Sequence, residues 1–163
     1  MPQPVKKPSQ TKTGPYVLAA LLCEKVLREA DGVVSAIRIA DKIIQTAAAP
    51  GAPDEMAPFV MTNLTLLIVV KADRAQGRHV VSIVPTLPDG TTLPAAETPI
   101  ELQRGSGGVN VVVPLALPIS ATGVYWFDVA LRGPRTRGAG RLTARVPLEV
   151  VFQRTPVATI VSS

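Results

Sequence analysis

Turn chemistry interrupts this chain too often for long helices to form. The segments RAQG (74–77), LPDG (87–90), GSGG (105–108), PISATG (118–123) and RGPRTRGAG (132–140) hold most of its 12 glycines, and 16 prolines are spread along its length. Proline removes a backbone donor and glycine enters left-handed geometry freely, so such clusters end regular structure. Between them stand runs rich in Val, Ile, Leu and Ala: Phe59–Ala72, Arg78–Val84, Ile100–Arg104, Val109–Leu117, Gly123–Arg132 and Arg141–Phe152. Short strands at this spacing predict an all-β chain, an antiparallel β-sandwich of about seven to eight strands. At 163 residues, one domain with its own core is the expectation.

The two ends read differently. Residues 1–15 are rich in Pro, Lys, Ser and Thr and read as a flexible basic tail, leaving 16–163 as the sandwich domain. Residues 46–58, TAAAPGAPDEMAP, form a long Pro/Ala loop inside it. Residues 17–29 are ambiguous. Pro15 could open a helix, and Leu18, Leu21, Leu22 and Val26 have roughly helical spacing. The Asp31-Gly32 turn and the β-branched run VVSAIRIADKII after it favour a hairpin, hence a strand. The C-terminal segment 157–161 is apolar and β-prone, and pairing within the chain is preferred over pairing between chains.

Lys6, Lys7 and Lys12 precede the apolar run YVLAALLC, much as in a secretion signal, but that run is short and Glu24-Lys25 follows at once. A cytoplasmic protein without a membrane span is the expectation, with secretion the minor alternative. The single cysteine, Cys23, permits no internal disulfide and reads as a small buried hydrophobe. Charge is uneven. Residues 1–15 carry three lysines, residues 16–100 seven basic against nine acidic residues, and residues 101–163 seven arginines against three acids.

Catalytic patterns are few. The only histidine, His79, reads as an exposed strand or turn residue, and no serine sits in a nucleophile elbow. One His and one Cys do not make a zinc site, and Asp31, Asp41 and Asp89 would have to converge to hold calcium. RGSGGVN (104–110) is followed by strand-like residues rather than a helix, so it reads as a turn and not a phosphate loop. No enzyme activity, cofactor or metal is expected.

Two features suggest binding. Arg132, Arg135, Arg137, Arg141 and Arg145 lie on one expected hairpin, where guanidinium forks could meet an acidic protein or a phosphate. No aromatic residues interleave with them, as stacking on nucleic-acid bases would require. The second is GVYWFDVALRG (123–133), which holds three of the chain's six aromatic residues. Strand alternation puts Tyr125, Phe127, Val129 and Leu131 on one apolar face, and Trp126, Asp128 and Arg132 on the other. Trp126 is therefore expected to point outward, covered by a loop, by the tail or by another molecule.

These residues carry a resemblance. Gly-x-Tyr-x-Phe-x-Val followed by a hairpin and RVPLEVV resembles the last two strands of immunoglobulin-like domains, with Tyr125 at the tyrosine-corner place. Phe127 stands where antibody domains have a cysteine. Across about residues 17–151 the order LLCEKVLREADGVVSAIRIADKI, GVYWFDVALRG, RVPLEV is similar to a family of small bacterial β-sandwich proteins of unknown function. The resemblance implies an immunoglobulin-like fold and brings no catalytic residue. The resulting expectation is a non-catalytic interaction or scaffold module, binding a protein or a second copy through Trp126 and its loops. The alternative is nucleic-acid or phosphate-ligand binding by the 132–145 hairpin.

Overall fold

The computed structural model describes residues 14–47, 51, 54–138 and 140–154. All but two residues of the expected tail, the 157–161 segment and part of the 46–58 loop lie outside them. The described residues form nine strands and no helix: β1 Tyr16–Arg28, β2 Val34–Ile39, β3 Lys42–Ala47, β4 Phe59–Lys71, β5 Gly77–Thr86, β6 Ala96–Leu102, β7 Gly108–Ile119, β8 Gly123–Arg132 and β9 Arg141–Arg154. They make a four-stranded sheet ordered β2-β1-β4-β7 and a five-stranded sheet ordered β3-β9-β8-β5-β6. The all-β expectation holds, and residues 17–28 are strand rather than helix. No helix among the described residues is long and apolar enough to cross a membrane.

Two expectations are corrected at one place. VVSAIRIADKII is not one strand, and the arrangement is not wholly antiparallel. The run divides at Ala40-Asp41, with β2 pairing β1 in one sheet and β3 pairing β9 in the other. Ala40 N–H donates to the Leu22 carbonyl at 2.9 Å, and the Asp41 carbonyl accepts from Glu149 N–H at 2.8 Å. Two residues thus hand the chain from one ladder to the next with their hydrogen bonds kept. The chain crosses without turning back, and β3 runs parallel to β9, from Lys42 opposite Glu149 to Ala47 opposite Arg154. Arg38 takes a left-handed φ of 53° just before the crossing, and its guanidinium meets Glu24 at 3.1 Å.

Strand prolines follow the ladders. β6 and β7 are edge strands, which is where Pro99, Pro114 and Pro118 fall. Pro85 lies beyond Ile83, the last β5 residue paired with β6, and Pro147 lies before Glu149, the first β9 residue paired with β3. Pro85 flanks the Thr86–Thr92 bridge, and its carbonyl accepts from Leu93 N–H at 2.8 Å. Pro99, Pro114, Pro118 and Pro147 sit where one side of the ladder is missing, so no backbone donor is lost from a completed row. This is why β7 runs on through two prolines to Ile119, past its expected end at Leu117.

The core lies between the sheets. Leu22, Leu66, Ile68, Val70 and Ile119 of the first face Val81, Ile83, Tyr125, Phe127, Val129 and Leu148 of the second. β8 alternates as predicted, with Tyr125, Phe127, Val129 and Leu131 all buried. A fully buried phenylalanine such as Phe127 contributes roughly 2–3 kcal/mol. The Tyr125 hydroxyl donates to the Ala121 carbonyl at 2.9 Å and accepts from the N–H groups of Ser120 and Ala121 at 3.3 Å. It closes the turn that carries the chain from β7 in one sheet to β8 in the other.

Gly108, opening β7, fixes where β7 meets β4. It has φ 141°, and a Cβ there would strike the Val70 carbonyl oxygen and stand 2.9 Å from the Lys71 Cα. Both obstacles are backbone and cannot swing aside. Gly108→Ala is expected to cost about 3 kcal/mol of stability, read as a lower urea midpoint at an unchanged slope. A wild-type midpoint would contradict this close approach.

Candidate interaction face

The outer surface of the five-stranded sheet holds most of the residues singled out from the sequence. β8 lies inside that sheet, between β9 and β5. Asp128 stands opposite Arg145 of β9 and Val84 of β5, and Trp126 opposite Pro147 and Thr86. On an antiparallel pair, opposite and diagonal side chains touch, so Arg145 reaches both Asp128 and Trp126.

Arg145 makes a two-pronged contact with Asp128, Nε to Oδ1 at 2.6 Å and Nη2 to Oδ2 at 3.0 Å. Its Cζ lies over the Trp126 ring, 5.2 Å from the centroid. The guanidinium is therefore held by a carboxylate at one side and placed over the face of an indole at the other. Hydrogen bonding to Asp128, and its charge, raise the Arg145 guanidinium further above its already high ordinary value. Trp126 is half-buried as a result. The outward direction agrees with the alternation of β8, and among the described residues Arg145 of the same sheet lies over the ring, while most of the tail named as a cover lies outside them.

The five arginines do not gather into one patch. Arg132 bonds Glu97 of β6 at 3.2 Å and the Gly138 carbonyl at 3.0 Å, tying the β8–β9 loop back to the sheet. Arg135 and Arg137 are exposed on that loop and make no ion pair among the described residues. Arg141 opens β9 and lines a separate cleft with His79. Lys42 and Glu149, paired at 2.8 Å, complete the charged lacing of the face.

His79 corrects the sequence reading. It is 4% exposed rather than solvent-facing. Its position in β5 matches that of Val81 and Ile83, two and four residues on, so alternation carried the signal. Cys23 is buried as expected, and burial pushes its thiol up, away from the reactive thiolate. Among the described residues no group of three or more His, Cys, Asp or Glu is placed to hold a metal ion. No protein-family model matches the chain, and no curated protein matches it in sequence.

The cover over Trp126 can be read directly, because it is the sole tryptophan. Asp128→Ala removes the anchor of Arg145. The expected result is readier acrylamide quenching and emission at longer wavelength, and Arg145→Lys should do the same because an ammonium lacks the planar fork. Unchanged quenching in both variants would mean that Arg145 does not cover the indole in solution.

Proposed function

We propose that this chain is a non-catalytic protein-interaction module, an immunoglobulin-like sandwich in plan, that docks an acidic protein surface on its five-stranded sheet. The observation that carries this reading is the Trp126–Arg145–Asp128 group at the middle of a solvent-facing sheet. Trp and Arg are the residues most enriched at interface hot spots, and a side chain already held in place loses less freedom on binding. Arg135 and Arg137, beside this face and without ion pairs among the described residues, supply a positive rim that steers an acidic partner. The tyrosine corner at Tyr125 supports the immunoglobulin-like plan.

The test uses Trp126 fluorescence at low salt, with poly-L-glutamate and a single-stranded DNA 20-mer as separate probes. A saturable change with poly-L-glutamate is expected. It should weaken as salt rises and lose about fivefold in affinity in the Arg135→Ala/Arg137→Ala double variant. No saturable change, or one with DNA alone, overturns the reading; the second result would hand the hairpin to nucleic acid.

A further inference from the structure

The cleft at the β8–β9 loop end of the molecule is chemically unlike the interaction face. Its volume is about 410 Å³, in the range of small-molecule sites, and it is lined by residues of β1, β5, β8, β9 and the loop between the last two. At its floor is His79. Its Nδ1 lies 3.0 Å from the Gly77 carbonyl oxygen. A carbonyl only accepts, so Nδ1 carries the proton in this bond, and in the neutral ring Nε2 presents a lone pair. No hydrogen bond to Nε2 is formed among the described residues, and although the residue as a whole is buried, Nε2 is not among the atoms sealed from solvent. An acceptor at the edge of a cleft is open to a donor that enters it.

Gly133 leaves that ring edge open. A Cβ at this position would stand 3.7 Å from His79 Nε2 and Cδ2 and 3.6 Å from the Thr136 hydroxyl oxygen. Among the described residues the one charged side chain lining the cleft is Arg141, and it makes no ion pair among them. No carboxylate lines it among the described residues. Tyr16 and Leu131 add apolar walls. The described lining thus offers one cation, one ring-nitrogen acceptor and hydrocarbon walls.

We propose that this cleft binds a small aromatic hydroxycarboxylate. The carboxylate takes the Arg141 guanidinium, whose planar fork matches two carboxylate oxygens. The hydroxyl donates to His79 Nε2. The ring packs between Tyr16 and Leu131, where Tyr16 already exposes half its surface. A metal ion would be repelled by Arg141. A dianion would leave one charge without a partner among the lining residues.

The sole histidine makes the test specific, because its imidazole NMR signals need no assignment. Titration with 4-hydroxybenzoate should move the His79 signals saturably, and benzoate, lacking the hydroxyl, should bind roughly tenfold more weakly. Replacing His79 endangers the core, so two milder variants carry the proof. Gly133→Ala places a methyl at ordinary contact distance over the ring edge and should abolish the shift. Arg141→Gln should weaken binding by roughly tenfold or more. His79 signals that stay fixed at millimolar 4-hydroxybenzoate overturn the proposal. So does equal binding of benzoate, or an unchanged titration in folded Gly133→Ala.

Discussion

The burial of Tyr125, Phe127, Val129 and Leu131 against the four-stranded sheet fixes β8, and β8 fixes the sheet around it. Strand side chains alternate, so once these four point inward, Trp126, Asp128 and Arg132 have no direction left but outward. A one-residue slip would drive Asp128 and Arg132 into the core, at a cost no other contact offsets. The Tyr125 hydroxyl adds a second lock, satisfying three backbone groups of the turn before β8. The Arg145 stack over Trp126 follows from this register, because Asp128 must stand opposite Arg145 for the fork to close.

The chain meets the problem of backbone hydrogen bonds in two ways. Most strand prolines occur where a neighbouring ladder is absent, as with Pro99 on the edge strand β6 and Pro147 just before the reach of β3. The crossing at Ala40-Asp41 keeps its polar groups paired by bonding to β1 on one side and β9 on the other. Both devices let two sheets form from a chain rich in breakers.

Charge is used differently in two places. On the outer face of the five-stranded sheet the formal charges are mostly matched, with Arg145 on Asp128, Arg132 on Glu97 and Lys42 on Glu149. Such exposed pairs orient side chains more than they stabilise the fold. In the cleft, Arg141 stands without an ion pair among the described residues, and His79, bonded through Nδ1 to the Gly77 carbonyl, lines the same cleft. The first arrangement suits recognition by a surface, and the second suits recognition of one small anion.

The sequence by itself determined the local matters. Alternation in GVYWFDVALRG divided core from surface correctly, and the turn clusters marked where most strands end. It also contained the inward direction of His79, legible from Val81 and Ile83 on the same face, although a lone polar residue beside turn signals read more readily as exposed. Tertiary structure decided what depends on partners distant in the chain. Nothing local shows that Val34–Ile39 and Lys42–Ala47 join different sheets, because that choice rests on pairing with β1 and with β9, more than 100 residues away at Glu149. The cover over Trp126 comes from Arg145, which alternation on β8 alone cannot supply, since it needs the cross-strand register with β9. The cleft joins the start of β1 to His79, Gly133 and Arg141, residues that meet only when the sheets close. Side-chain direction is a property of one strand, whereas neighbours are a property of the whole packed fold.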